Sequence, residues 1–238
     1  MNKFIATAAA ACFALGSAAH AATISVSAFD ISSFDSATGY TNFVVQDFED
    51  VYGDGSQTVG QLAGPLATNV GTFSAISEDA SGSGSTCNAS GGDCTQLFLN
   101  NTTVNGQGNM VPDDGIWSLN ANDTFGILWD VVKGEGGSLF NRVVFGMMDA
   151  ADTGAMVRVS VGDVFVEFKN LLNANQQLIV INFGELVDMA QIEIRSSRLN
   201  DSFSIDGASV GVVPLPAGGL LLLTGFGALA LRRRRKAA

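Results

Sequence analysis

Residues 157–168 read Val-Arg-Val-Ser-Val-Gly-Asp-Val-Phe-Val-Glu-Phe, with valines at every second position on both sides of a glycine–aspartate pair. An alternation with a period of two places one set of side chains on each face of a β-strand. Glycine supplies the positive φ that a two-residue type II′ turn needs. The stretch therefore predicts a β-hairpin that turns at Gly162 and Asp163.

The same period appears on both sides of this hairpin. Residues 124–131 place Phe, Ile, Trp and Val at alternate positions, and residues 190–195 alternate in the same way. In the segment 203–212 the apolar phase shifts at Gly207, which predicts a β-bulge. Further strands are predicted at 43–48, 71–76, 97–99, 140–148 and 178–183, and no convincing helix of ten or more residues is found. Many short strands between turns predict a single all-β domain, a β-sandwich spanning residues 22–212.

The N-terminus has the pattern of a secretory signal peptide. Lys3 precedes an apolar run of 12 residues, Phe4 to Leu15, and small residues follow as far as Ala21. The run is too short for a membrane span, which needs roughly 20 residues. This order predicts export, with cleavage by signal peptidase before Ala22, so that residues 1–21 form the signal peptide.

The C-terminus combines three features within residues 213–238. Two prolines favour an extended, protease-accessible segment at its start. The 16 residues from Pro216 to Leu231 are apolar and would span about 24 Å as a helix. A basic run follows at once and predicts a cytoplasmic anchor by the positive-inside rule. The motif residues are Val213, Pro214, Leu215, Pro216 and Ala217, and the anchor residues are Arg232, Arg233, Arg234 and Arg235.

This order of motif, short apolar helix and arginine cluster resembles the PEP-CTERM sorting signal in its VPLPA variant. The resemblance implies that the tail inserts into the membrane, that an exosortase cleaves near the motif, and that the body reaches the cell surface or the extracellular matrix. It also implies an association with exopolysaccharide or biofilm. A permanent tail anchor is the alternative for the same residues.

Composition narrows the chemistry of the body. Residues 22–212 carry six basic and 23 acidic side chains, a net charge of −17, which disfavours nucleic acid as a partner. The chain's single histidine, His20, lies in the signal peptide. A mature body without histidine excludes Ser-His-Asp and Cys-His catalysis and histidine-ligated zinc.

Two cysteines remain after removal of the signal peptide. Cys87 and Cys94 lie within a stretch rich in glycine, serine and asparagine. In an exported protein, this spacing predicts one local disulfide. Two thiolates without a further Cys or His cannot complete a tetrahedral metal shell.

The body also resembles the jelly-roll of carbohydrate-binding modules and of other PEP-CTERM proteins. The residues that carry this resemblance are the acidic segment 45–50 and the closing strand 203–210. The resemblance implies a structural calcium ion shared by Glu49 and Asp206. Gly207 stands where the family more often has a second acidic residue.

Two classes of function follow. The first is a non-catalytic module that binds or builds extracellular polysaccharide, with Trp117 or Tyr52 as exposed sugar-stacking platforms, unless these aromatics belong to the core. The second is a secreted glycan hydrolase that uses carboxylates such as Glu135 or the pair Asp113 and Asp114. A structural surface protein without a ligand is a third reading. We expect no enzyme activity, because loop acids of this kind usually cap turns and face water.

Overall fold

The computed structural model describes residues 22–40, 42–49, 51, 60–76, 95–101, 107–112, 114–122, 124–134, 136–151, 153–169, 171–172, 175–197 and 202–214. In this part of the chain, two antiparallel β-sheets pack face to face, with one short α-helix. The elements are β1 (Thr23–Ala28), α1 (Ile31–Thr38), β2 (Val44–Gln46), β3 (Gly60–Gln61), β4 (Leu66–Thr68), β5 (Gly71–Ala75), β6 (Phe98–Asn100), β7 (Ser118–Asn120), β8 (Gly126–Val131), β9 (Phe140–Met148), β10 (Met156–Val161), β11 (Val164–Phe168), β12 (Gln176–Val187), β13 (Ala190–Arg195) and β14 (Ser204–Gly211).

The larger sheet has the strand order β1-β12-β9-β14-β7-β6-β3, and β2 also pairs with β14. The smaller sheet has the order β11-β10-β13-β8-β5-β4. The chain changes sheet several times, so neighbours in a sheet are often distant in sequence. The predicted β-sandwich is therefore confirmed as the architecture of the described residues.

The core lies between the sheets and centres on aromatic side chains. Trp129 of β8 is fully buried, stacks on Phe73 at a centroid distance of 4.9 Å, and meets Phe145 edge-on at 6.0 Å. Its indole N–H donates to the carbonyl oxygen of Val70 at 3.0 Å, which satisfies the polar atom that burial would otherwise leave unpaired. The alternation in 124–131 therefore marks the inner face of β8, as predicted.

The outer face of the larger sheet is covered. Helix α1 packs on β9 and β12, and its buried Phe34 joins a second apolar cluster with Met110, Val111 and residues of those strands. The helix begins after Asp30, whose side chain accepts hydrogen bonds from the backbone N–H groups of Ser32 and Ser33. A layer of helix and loop thus shields this sheet from solvent.

The individual strand predictions agree with the structure to within a few residues. The hairpin forms as predicted, with Val161 opposite Val164 and a positive φ of 56° at Gly162. Gly207 has a φ of 58°, and the pairing of β14 with β9 shifts register between Asp206 and Ser209, which confirms the bulge. Helix α1, the six-residue strand β1 and the short strands β3, β4 and β7 were not predicted.

The predicted signal peptide and all of the predicted apolar tail helix lie outside the described residues. Within the described ranges, no helix is long and apolar enough to cross a membrane.

Candidate functional site

Asp206 accepts hydrogen bonds from the backbone of a neighbouring loop. This residue of β14 is fully buried, and its Oδ2 accepts backbone N–H bonds from Met110 at 2.5 Å and Val111 at 2.8 Å. Its Oδ1 accepts the N–H of Gly207 at 2.7 Å. The carboxyl group therefore ties the segment 107–112 to the end of the larger sheet.

Glu49 holds the other end of the same loop. Its Oε1 accepts backbone N–H bonds from Ile116 at 2.7 Å and Trp117 at 2.8 Å. The two acids that the sequence singled out are therefore brought to one structural unit, residues 107–117, which they bind at both ends. Their partners are backbone amides, which the sequence pattern did not indicate.

Burial raises the pKa of Asp206 well above its usual range, because the ionised carboxylate loses its hydration. The negative charge of Asp47 adds to this effect, whereas the three backbone N–H groups oppose it by stabilising the ionised form. A buried carboxyl with a raised pKa can mark a catalytic acid. Asp206, however, is enclosed by its own hydrogen-bond donors and fully shielded from solvent.

The described residues do not form a calcium site as they stand. Calcium takes about six to eight oxygen ligands. Oε1 of Glu49 and Oδ2 of Asp206 each accept two N–H bonds already, so neither oxygen has a lone pair left to bind the ion. In the described part of the chain, no group of three or more His, Cys, Asp or Glu residues could hold a metal ion. In favour of a cation, Asn109 has a buried Oδ1 without a hydrogen-bond partner. Calcium at Glu49 and Asp206 stays a prediction of the family resemblance, and the hydrogen bonds to these two carboxylates argue against it.

Trp117 is not an exposed platform. Its side chain is 8% exposed and belongs to the main core cluster. The suggestion that Trp117 stacks on sugar from the surface is therefore wrong, and the alternative of a core residue is confirmed. Tyr52, Asp113 and Glu135 lie outside the described residues, and Asp114 is an exposed loop residue.

Most of the predicted processing sites also lie outside the described residues. These are Cys87, Cys94, Leu215, Pro216, Ala217, Arg232, Arg233, Arg234 and Arg235. The first motif residue is described, and it is fixed to the sandwich. The side chain of Asn141 on β9 donates to the carbonyl oxygen of Val213 at 2.9 Å and accepts its N–H at 2.8 Å. Pro214, the next residue, is exposed.

The outer face of the smaller sheet carries the polar side chains of its strands in two rows. The register places Phe165, Ser160, Gln191, Asp130 and Thr72 directly opposite one another across five strands. The next row contains Glu167, Arg158, Glu193, Leu128 and Ser74. These side chains are half-buried or exposed, so the face is accessible to solvent.

Charged side chains on this face are paired. Arg158 donates to Glu167 Oε1 at 2.5 Å, and Lys169 lies 3.0 Å from the other oxygen of the same carboxylate. Arg195 pairs with Glu193 at 2.7 Å. The hydrogen bond from Arg158 lowers the pKa of Glu167, with a further contribution from Lys169. The contacts with Arg158 and Lys169 therefore favour the ionised form of Glu167.

Two surface pockets lie along this face. One of about 290 Å³ is lined by Asp130, Ser160 and Gln191, with Met189 and Gly162 at its rim. The other, of about 320 Å³, is lined by Lys169, Arg195, Ser196 and Ser197. Sequence reasoning missed this face, although one signal was present: the hairpin alternation puts the aromatic Phe165 on the polar side of β11.

Comparisons with known proteins find a similar solved structure for this chain but no matching family model or curated protein. Among solved structures, it is similar to the crystal structure of Caldicellulosiruptor saccharolyticus CBM27-1 in complex with mannohexaose, at 12% identity and a TM-score of 0.36, over 72% of this chain and 98% of that chain. An identity of 12% transfers no function.

Proposed function

We propose that this chain is an exported, exosortase-sorted protein of the cell surface or extracellular matrix, and that its β-sandwich associates with extracellular polysaccharide without catalysing a reaction. The observation that carries the proposal is the C-terminal pattern of residues 213–238: a VPLPA motif, 16 apolar residues and an arginine cluster. An apolar stub of about 24 Å matches a hydrocarbon core of about 30 Å poorly, which suits a transient anchor better than a permanent one.

The position of the motif supports this processing. Strand β14 ends at Gly211. The side chain of Asn141 then binds both the backbone N–H and the carbonyl oxygen of Val213. The exposed Pro214 then follows. A protease that recognises the motif would meet it at the surface of the sandwich, and cleavage there would release the intact domain.

The non-catalytic role is supported by the surroundings of the acids. Asp206, the buried carboxyl with a raised pKa, already binds three backbone N–H groups, and Glu49 binds two. A general acid must reach its substrate through solvent or direct contact. Both carboxylates instead stabilise the loop 107–117.

The sorting proposal is tested by defining both ends of the mature protein. We would express the full chain in a host that contains an exosortase and in a matched host from which the exosortase is deleted, and analyse the surface and released fractions by mass spectrometry. We expect an N-terminus at Ala22 and a C-terminus within or next to 213–217 only where the exosortase is present.

Two outcomes would contradict the sorting proposal. Residues beyond Ala217 retained on the exported protein would indicate the permanent tail anchor. A chain truncated after Val212 that reaches the same destination as the full chain would show that the tail carries no sorting information. A separate assay measures reducing ends released from matrix polysaccharide. A hydrolase would release them, whereas a binding module would not.

A further inference from the structure

We propose that the outer face of the smaller sheet binds a polysaccharide that carries carboxylate groups. The inference rests on the proposed association with extracellular polysaccharide and assigns it a site and a class of ligand. Three observations support it: the distribution of basic residues, an exposed aromatic ring, and a row of neutral hydrogen-bonding side chains beside it.

Basic residues are scarce in the body but concentrated on this face. Residues 22–212 contain six basic side chains against 23 acidic ones, and three of the six are Arg158, Lys169 and Arg195. A domain with a net charge of −17 repels anionic polymers over most of its surface. On this face Arg158, Lys169 and Arg195 balance the carboxylates of Glu167, Glu193 and Asp130. An acidic polymer therefore meets less repulsion here than over the rest of the body.

The basic end of the face is open to a ligand. The side chains of Lys169 and Arg195 are 65% and 36% exposed, and both line the pocket of about 320 Å³ together with two serine residues. Guanidinium groups bind carboxylates through two parallel N–H···O bonds, and an ammonium group adds a point charge. A uronate carboxylate therefore matches this pocket in charge and in hydrogen-bonding pattern.

An aromatic ring lies on the same face. Phe165 is 59% exposed, and the guanidinium of Arg158 makes a cation–π contact with it, 4.8 Å from its ring centroid. Sugar rings present an apolar face of C–H groups, and exposed aromatic rings pack against such faces. Exposing the apolar ring of Phe165 to water is unfavourable, and a sugar that covers the ring would remove this cost in hydration free energy.

The polar row completes the match to a sugar. Ser160, Gln191 and Asp130 lie side by side on β10, β13 and β8 and line the pocket of about 290 Å³. The Gln191 amide donates to Asp130 at 2.9 Å, which leaves the hydroxyl, the amide oxygen and the second carboxylate oxygen available to hydroxyl groups. From Gln191 to Arg195 along β13 is about 14 Å, long enough for several linked sugar rings.

The test is affinity electrophoresis of the processed protein in gels that contain alginate, a polymer of uronic acids, or dextran, a neutral glucan. EGTA is present throughout, so that calcium cannot bridge acidic polymer and acidic protein. We expect alginate to retard the protein and dextran to leave its mobility unchanged.

Variants locate the site. Lys169→Gln combined with Arg195→Gln should weaken binding to alginate about ten-fold or more, and Phe165→Ala should weaken it several-fold. Lys133→Gln is the matched control for the single variant Lys169→Gln, because each removes one positive charge. Lys133 lies in a turn outside this face, so Lys133→Gln should bind as the wild type does, whereas Lys169→Gln should bind more weakly. Circular dichroism and melting temperature verify folding, which these exposed substitutions should preserve.

The outcomes distinguish the inference from the function on which it rests. Equal retardation by dextran, or an effect of Lys133→Gln equal to that of Lys169→Gln, would overturn the acidic ligand and its site. Separate sedimentation of the wild type with matrix isolated from its own host tests the broader role. Retention in that matrix without alginate binding overturns only the present inference, whereas failure of both overturns the association with polysaccharide as well.

Discussion

Asp206 and Glu49 together accept four backbone N–H bonds from residues 110–117, and Asp206 accepts a fifth from Gly207. The described residues of this loop, 110–112 and 114–117, form no helix or strand that would satisfy these donors. A buried N–H that loses its acceptor costs roughly 1 to 3 kcal/mol. The loop 107–117 therefore depends on two side chains that are far from it in sequence.

We expect Asp206→Ala to lower the free energy of unfolding by roughly 3 kcal/mol or more, because it leaves three buried N–H groups without an acceptor. Urea unfolding at pH 7 measures the effect. Ser209→Ala is the matched control on the same strand: Ser209 is equally buried but donates a single bond, to Gly207 at 2.8 Å, so its loss should cost about 1 kcal/mol. Equal effects of the two variants would contradict the role assigned to Asp206.

The calcium prediction has a direct test. An ion bound only by the folded protein raises the melting temperature, and the stabilisation grows with the logarithm of the ion concentration once this exceeds the dissociation constant. We expect equal melting temperatures in excess calcium and in EGTA, because three oxygens of Glu49 and Asp206 already accept backbone N–H bonds. A rise in calcium that Glu49→Gln abolishes would instead establish the metal site.

At this scale the sequence could indicate which acids matter but not what they bind. Glu49 and Asp206 were indicated by the resemblance of segments 45–50 and 203–210 to a jelly-roll family. Their partners lie 67 or more residues away in a loop without periodicity, and only the assembled sheet brings them together. Phe165 was visible as a strand residue, but its exposure depends on β11 being at the edge of its sheet.

Among the elements, the hairpin β10–β11 depends on the backbone conformation of Gly162. Its φ is 56°, and a Cβ added there would meet no atom within 4 Å. We expect Gly162→Ala to destabilise the protein by about 1 kcal/mol, the cost of the left-handed region for a residue with a side chain. Thermal or urea unfolding measures this change.

Gly64 provides the control for the hairpin. A Cβ at Gly64 also meets nothing within 4 Å, but no positive φ is recorded there. Gly64→Ala should be neutral or stabilise by about 0.4 to 1 kcal/mol, because alanine restricts only the unfolded chain. If both alanine variants change stability by the same amount, the turn conformation is not the cause.

Every strand of five or more residues except β1 was predicted, whereas the short strands β3, β4 and β7 and helix α1 were not. β9 and β13 carry enough residues to display a period or a continuous apolar run, and their bounds follow from the sequence. Strands of two or three residues, such as β3 and β4, show no period at all. Helix α1 is eight residues long and has a single buried side chain, so its only clear signal is the capping residue Asp30.

For the whole molecule, the class of fold was predictable and the strand order was not. Alternation specifies which face of a strand is buried, but it does not specify the neighbour of that strand. β14 lies between β9 and β7, partners that are far from it in the chain. Consequently, the sequence could not show that helix and loop cover the larger sheet while the outer face of the smaller sheet stays accessible.

Stability of the whole protein should depend on pH, and Asp206 and Glu167 should contribute to this dependence in opposite directions. The pKa of Asp206 is raised in the folded state, so between the unfolded value of about 3.9 and the folded value the native protein binds more protons. Stability therefore falls as the pH rises through this window. Self-repulsion within a body of net charge −17 has the same sign, because the acids ionise over the same range.

Glu167 acts in the opposite direction and below this window. The hydrogen bond from Arg158 lowers its pKa, so its contribution is present above the unfolded value of about 4.3 and is lost as the pH falls through the folded value. The free energy of unfolding, measured with urea from pH 3 to pH 8, should thus be largest near pH 4 to 5.

Asp206→Asn should flatten the alkaline side of this curve and leave the acid side unchanged. Glu167→Gln should flatten the acid side and leave the alkaline side unchanged. Wild-type stability that increases steadily from pH 5 to pH 8 would show that the three N–H groups outweigh burial and keep Asp206 ionised in the folded protein.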